Sequence, residues 1–253
     1  MVTFNILHGR DLERDAVDLS TFASAISDLG ADVLALQEVD RFQERSLGAD
    51  LTAVAAEAMG AVDHRFVAAL AGSPGATWTA ATGEEQPDSA AYGIALLSRF
   101  PATAWQVVRL PAVRVPAPVV HPGRRLPSLV RDEPRVAVAA SIEGPLGPIT
   151  LATTHLTYVP WWNGQQLHRL VRSLRALPGP LLLTGDLNMD AARAVRISGL
   201  QAVGEPQLTF PVGEPRRQLD HVLADRQLNA RTSVCQLPVS DHLAYIVDID
   251  GLD

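Results

Sequence analysis

Several apolar runs in this chain stop on one polar residue of a kind that rarely closes a buried strand. Leu-Leu-Leu-Thr-Gly-Asp-Leu-Asn-Met-Asp, residues 181–190, delivers Asp186 and Asn188 at its polar end. Val-Leu-Ala-Leu-Gln-Glu ends on Glu38, and Ile-Thr-Leu-Ala-Thr-Thr-His ends on His155. Asn5 lies within the first apolar run, Asp220 opens Asp-His-Val-Leu, and Asp241 and His242 immediately precede the last run. Within 181–190, Gly185 permits a tight turn, and strand alternation puts Asp186 and Asn188 on the same side. Runs this apolar must be covered on both faces, which requires a layered architecture. A buried carboxylate costs several kcal/mol without compensation, so polar groups at so many strand ends imply a shared cation where those ends converge. The donors are mostly oxygen, which favours Mg²⁺ or Mn²⁺ over Zn²⁺.

Between these runs the chain alternates strands and helices. Residues 2–7 read as a strand, Asp18 as the cap of a helix carrying Leu19, Phe22, Ile26 and Leu29, and 32–39 as a buried strand. A helix over 49–59 and strands over 65–69 and 92–98 follow, then 135–142 and 149–154 as antiparallel partners across Gly-Pro-Leu-Gly-Pro. Leu167, Leu170, Val171, Leu174 and Leu177 form one helical stripe, and late strands fall at 219–223 and 244–249. Two long aperiodic stretches, 71–90 and 111–134, read as loops. With 253 residues, 47% hydrophobic and 19% charged, the chain has material for one large domain over 1–253 and no linker to divide it.

Composition removes several chemistries. All 21 basic residues are arginine, so Schiff-base enzymes, P-loop nucleotide sites and protein kinases, each of which needs a lysine, are excluded. The net charge of −7 argues against tight non-specific binding of duplex DNA. The one basic district is 99–135, where Arg99, Arg109, Arg114, Arg124, Arg125, Arg131 and Arg135 face only Asp132 and Glu133; it reads as a flap suited to one small anionic group. Cys235 is the single cysteine, so no internal disulfide forms. With no membrane-spanning run and no signal peptide visible, the default expectation is a cytoplasmic protein.

Thr-Phe-Asn-Ile-Leu-His-Gly, Ala-Leu-Gln-Glu-Val-Asp, Tyr-Gly-Ile-Ala-Leu-Leu-Ser-Arg, Thr-Thr-His-Leu, Thr-Gly-Asp-Leu-Asn, Leu-Asp-His-Val-Leu and Ser-Asp-His occur in that order from Phe4 to His242. The series resembles the motifs of the endonuclease/exonuclease/phosphatase superfamily, and within it the small bacterial metal-dependent hydrolases. The resemblance implies an α/β fold, a four-layer α/β/β/α sandwich of two packed mixed β-sheets flanked by helices. It also implies a Mg²⁺- or Mn²⁺-dependent phosphoesterase that hydrolyses P–O bonds by in-line attack of water, without a covalent intermediate. Glu38 would bind the metal directly, with Asn5 and Asp241 beside it. Asp186 would orient or deprotonate the attacking water, and Asn188 would hold phosphate or water. His242, oriented by Asp220, would hydrogen-bond a phosphoryl oxygen, and His155 would stabilise the developing charge or protonate the leaving oxygen.

Read singly, some of these residues have plainer roles: Asn5 could serve the strand backbone, and Asp220 or Asp241 could cap a turn. His221 stays structural. Arg10 could reach a substrate phosphate. Of the adjacent Trp161 and Trp162, at least one must be exposed, to pack under a loop, stack on a base or sugar, or meet a lipid interface. The family motif often has Asn where this chain has Ile94. The favoured substrate is a small or lipid-linked phosphodiester. The alternatives are an endo- or exonuclease and, in a different class, a catalytically inactive binding module of the same fold.

Overall fold

The computed structural model describes residues 1–119 and 126–251. The first third comprises β1 (Val2–Asn5), the short β2 (Arg10–Asp11) and β3 (Ala16–Val17), α1 (Leu19–Asp28), β4 (Val33–Arg41) and α2 (Leu51–Met59). Then come β5 (Asp63–Gly72), β6 (Trp78–Ala80), β7 (Ala91–Ser98), β8 (Ala102–Leu110), β9 (Ala117–Val119), β10 (Ser128–Val130), β11 (Arg135–Gly144) and β12 (Gly147–His155). The last part holds α3 (Pro160–Leu174), β13 (Leu181–Asp186), α4 (Ala191–Ser198), β14 (Gln201–Ala202), β15 (Asp220–Ala224), β16 (Asn229–Cys235) and β17 (Ala244–Gly251).

Two mixed sheets, ordered β16-β17-β1-β4-β7-β5-β6 and β14-β15-β13-β12-β11-β8, pack face to face. Three apolar layers hold the sandwich together. Phe4, Leu34 and Leu36 meet Phe22 and Ile26 of α1 and Leu51 of α2 on one outer face. Leu181, Leu183 and Leu223 meet Leu167, Leu170 and Leu174 of α3 on the other. Ala35, Ile94 and Leu96 of the first sheet meet Val138, Leu151, Leu182 and Val222 of the second in between. Leu34 and Leu36 thus point outward while Ala35 points inward, and all must be apolar because helices cover the far side. The four-layer architecture is therefore as expected.

Helix starts follow capping chemistry. Asp18 accepts from the Thr21 N–H at 2.7 Å, and Asp50 from Thr52 and Ala53, so the second helix begins at Leu51 rather than at 49. Leu177 lies beyond α3 but still packs under it. Three elements left no readable pattern. β8 and β16 are edge strands with mixed faces, and α4 buries only Ala194 and Ser198. The stretches read as loops contain β6 and the β9–β10 hairpin; 120–125, with Arg124 and Arg125, lies outside the described residues.

The arginine-rich segment 99–135 is not a single flap. Arg109 belongs to β8, which pairs with β11, and Arg99 donates to the Met59 carbonyl at 2.7 Å. Arg135 is buried. Ile94 sits in the inter-sheet core, opposite Val67 on one side and, on the other, Gln37, whose Nε2 already donates to Thr3, Ala35 and Thr153. No helix among the described residues is long and apolar enough to cross a membrane.

Candidate active site

Register brings the polar strand ends together. In the second sheet His155 is level with Asp186, and Asp186 with Asp220, so three strand ends form one row. In the first sheet β1 runs parallel to β4 with Asn5 opposite Gln37, one residue before Glu38. A bulge between Gln37 and Val39 leaves Glu38 outside the ladder with φ +58, a left-handed backbone that is uncommon for a non-glycine residue and turns its side chain off the strand's regular alternation.

Asn5 joins the two sheets. Its Nδ2 donates to Glu38 Oε1 and to Asp186 Oδ2, each at 3.1 Å, while its Oδ1 accepts the Leu7 N–H at 3.2 Å. These contacts fix the orientation of the amide, and both of its protons are spent on carboxylates from opposite sheets.

Gly185 has a different task from the turn expected of it. It lies inside β13, parallel to Thr154, with φ +130, and a Cβ there would sit 1.9 Å from the Thr154 carbonyl oxygen. The hydrogen allows β12 and β13 to approach beside His155 and Asp186. Gly185→Ala should destabilise the fold by roughly 3 kcal/mol through overpacking and backbone strain, seen as a lower midpoint in urea unfolding. An unchanged midpoint would refute this role.

Asp186 and Asn188 are also brought together differently, by a turn rather than by strand alternation. The chain leaves the ladder after Asp186, Leu187 donates to the Leu219 carbonyl at 2.9 Å, and Asn188 takes φ +51. Asn188 then donates its N–H to Asp186 Oδ1 and its side-chain Nδ2 to the Leu156 carbonyl, both at 2.9 Å.

The two histidines are in opposite protonation states. Burial holds His155 well below its ordinary value, with Arg135 and His242 adding to the effect, so it is neutral. Its ring sits between two donors and a carboxylate, with Nδ1 3.4 Å from Arg135 Nη1, and Nε2 3.2 Å from Asn188 Nδ2 and 3.5 Å from Asp186 Oδ2. For His242 burial opposes the charge, but Asp220, through its charge and a 2.8 Å hydrogen bond to Nδ1, overcomes it; with Asp186 and Asp241 contributing, the pKa is held up at about 10. The Nε2 of this imidazolium lies 3.8 Å from Asp186 Oδ2. Burial raises the Asp186 carboxyl, and Asp220 raises it further. Burial also raises Glu38, with Asp241 adding and Asn5, Arg135 and His242 opposing.

The donor set fits a divalent cation. Asp186 and Asp220 lie within 4.8 Å of His242, which as an imidazolium has no lone pair to give. The donors are therefore the carboxylate oxygens, including Glu38 across the Asn5 bridge, and Asp220 Oδ1 is buried without a hydrogen-bond partner among the described residues. Asp241 acts electrostatically on both Glu38 and His242, so carboxylates outnumber the cations Arg135 and His242. Oxygen donors with surplus negative charge suit a hard ion.

Every expected residue of the centre except the substrate-contact candidates takes part in this network. Arg10 instead pairs with Asp15 on the β2–β3 ribbon. Trp162 packs with Val159 under the β9–β10 hairpin and donates to the Pro111 carbonyl at 2.8 Å, while Trp161 is 53% exposed. His221 donates its Nε2–H to the Met189 carbonyl at 2.8 Å and is structural. Two arginines went unseen. Arg135 opens an apolar run just after Pro134, the mirror image of the polar ends that marked the other site residues. Arg45 grips the buried Asp40 at 2.8 and 2.7 Å, lies over the Tyr92 ring at 5.6 Å, and helps burial depress His8 to about 4.

The sequence model described as the Endonuclease/Exonuclease/phosphatase family matches residues 2–242. The chain belongs to this family. Its members are hydrolases acting on phosphoesters. Among solved structures, the family protein from Beutenbergia cavernae DSM 12333 is 22% identical with a TM-score of 0.70, covering 98% of this chain and 70% of that one. The mannosyl-6-phosphatase of Bacteroides thetaiotaomicron VPI-5482 is 14% identical (TM-score 0.63, 98% of both chains). Sphingomyelinase C of Streptomyces griseocarneus is 16% identical (TM-score 0.62, 97% of both). At such identities the likeness establishes the fold. No curated protein matches the sequence.

Proposed function

We propose that the chain is a Mg²⁺- or Mn²⁺-dependent phosphoesterase, most specifically a phosphodiesterase on a small or lipid-linked phosphodiester. The observation that carries this reading is the Asn5 bridge, which ties Glu38 of one sheet and Asp186 of the other to a single point flanked by His155, Arg135 and His242. Glu38, Asn5 and Asp241 would hold the metal, which supplies Lewis-acid stabilisation of charge on the phosphoryl group. Asp186 accepts a proton from the attacking water, aided by the elevated carboxyl pKa that burial gives it. Asn188 holds the water or a phosphoryl oxygen. The His242 imidazolium donates to a phosphoryl oxygen, and neutral His155 stabilises the charge developing on the leaving oxygen, which takes its proton from water. Arg135 supplies a guanidinium to the same charge.

Titration of the metal-free protein with Mg²⁺ or Mn²⁺ against bis-p-nitrophenyl phosphate tests the class. Turnover should appear with metal and vanish in Glu38→Ala and His242→Ala; its absence would favour an inactive binding module, and its survival in both variants would reject the site assigned to it. The mannosyl-6-phosphatase and the sphingomyelinase C that share the fold set the range of a substrate panel: sugar phosphates, sphingomyelin, phosphoinositides, plasmid DNA and single-stranded RNA. Faster cleavage of nucleic acid than of the lipids would favour the nuclease reading.

A lipid-linked substrate is supported by Trp161 at the start of α3 and by Leu129 on the neighbouring hairpin, 53% and 74% exposed. Trp161→Ala should lower turnover of vesicle-borne phosphodiester by about tenfold, the equivalent of ~1.4 kcal/mol, and leave bis-p-nitrophenyl phosphate unaffected. Equal losses on both would reject the lipid contact. Trp162 is left intact because it supports the hairpin.

A further inference from the structure

Beside the candidate active site lies a groove of about 880 Å³ that contains none of its residues. It opens along the flank where β5 of the first sheet faces β8, the edge strand of the second, and its lining includes neither Glu38 nor His155. Arg41, Arg65, Arg109 and Arg169 line it, contributed by β4, β5, β8 and α3, with Glu85 as the acidic residue of the lining. In a chain of net charge −7, this is a concentration of positive charge.

None of the four arginines is ion-paired to a carboxylate among the described residues. Glu85 is occupied otherwise, accepting from the Thr82 N–H and hydroxyl and from the Gly83 N–H. The guanidiniums are held by neutral groups instead. Arg41 stacks 4.7 Å from the centroid of Phe66, Arg65 lies 5.7 Å from that of Trp105, and Arg109 donates to the Ala68 carbonyl at 3.3 Å. Arg41 Nε is buried without a hydrogen-bond partner among the described residues. Gly83, at φ +95, lets the 82–87 loop close over Arg109, since a Cβ there would meet Nη2 at 2.8 Å. Ring-stacked guanidiniums keep their edge N–H groups free, and those edges match phosphate-type oxyanions in pairs.

We infer that this groove is a second anion site, independent of catalysis, for a compact ligand bearing two or more phosphate-type groups. The four cations come from four different elements around the groove, which suits more than one anionic group, and the volume is that of a small-molecule site. The acidic body around the groove disfavours an extended polyanion such as nucleic acid or an anionic membrane.

The test is calorimetric titration of the full chain with sodium tripolyphosphate in EDTA, with orthophosphate as comparator. Tripolyphosphate should bind at about one per chain and at least roughly tenfold tighter than orthophosphate. Arg65→Gln with Arg109→Gln, both exposed positions, should weaken it by at least about tenfold while metal-dependent turnover of bis-p-nitrophenyl phosphate stays within about twofold. Arg169→Gln, on the surface of α3, gives a second variant with an expected loss of several-fold. His242→Ala should leave binding unchanged. Equal affinity in the double variant, or loss of binding in His242→Ala, would overturn the inference. So would tighter binding of a single-stranded oligonucleotide or of phosphatidylserine vesicles than of tripolyphosphate at the same ionic strength. Because the readout is binding without metal, the site stands or falls separately from the hydrolytic activity.

Discussion

Asp186→Asn is expected to lower kcat on bis-p-nitrophenyl phosphate by about 10²- to 10⁴-fold, the range typical of a lost general base, with a much smaller change in KM. The amide keeps the size of the carboxylate and can still accept from the Asn188 N–H, so the turn after β13 should survive. It cannot take a proton from water. It also removes the negative charge facing His155 Nε2 at 3.5 Å and His242 Nε2 at 3.8 Å, so both rings lose the group that aims them at the centre. Two effects on stability oppose one another, since burial penalises the wild-type carboxylate while the variant's amide nitrogen would face the Asn5 Nδ2 that donates to Asp186 Oδ2, so the urea midpoint should shift little. Single-turnover kinetics together with urea unfolding separates the two effects. Wild-type kcat in a folded variant would remove Asp186 from catalysis and with it the proposed direction of water attack.

The second large effect concerns the pair beneath it. In the metal-free protein, Asp220→Asn should cost about 3–5 kcal/mol, the usual consequence of leaving one member of a buried ion pair alone. Asp220 is fully buried, and among the described residues its Oδ2 bonds His242 alone, so the imidazolium would lose its main support. The sign of the pH dependence follows from the raised pKa. His242 goes from 6.5 to about 10 on folding, so its contribution is complete below about 6.5 and fades as pH rises through about 10. Urea midpoints of wild type and variant should therefore differ most near pH 6 and converge toward pH 10. A gap of the same size at both pH values would mean that packing, not charge, accounts for it.

Most of the centre was legible because the strands are covered on both faces. When Leu34, Ala35 and Leu36 must all be apolar, Glu38 at the end of their run stands out, as do His155 after Ala152 and Asp186 after Leu183. What lay beyond reach depended on direction rather than identity. Nothing marks residue 38 as bulged, since its left-handed backbone is carried by a glutamate and not by a glycine. Arg135 belonged by composition to a basic stretch, and only the pairing of β11 with β8 and β12 turns it toward His155. Trp161 and Trp162 differ only in which side of α3's first turn faces the hairpin. The edge strands β8 and β16 were invisible for a related reason: one side of each faces solvent or a neighbouring layer irregularly, so neither a continuous apolar run nor a clean alternation survives.

The first and last long strands share a ladder, Val2 opposite Ile246, and Ser240 donates to the Asn5 carbonyl at 2.6 Å. The proposed catalytic constellation is thus distributed over the whole length of the chain, with Asn5 and Glu38 near one terminus, Asp220 and His242 near the other, and His155 and Asp186 between. A break in any surface loop from 43 to 150 would leave each fragment with an incomplete set of groups and an uncovered sheet edge. Such fragments would be silent apart and competent only when reunited, which makes the architecture a natural basis for a split reporter of molecular proximity.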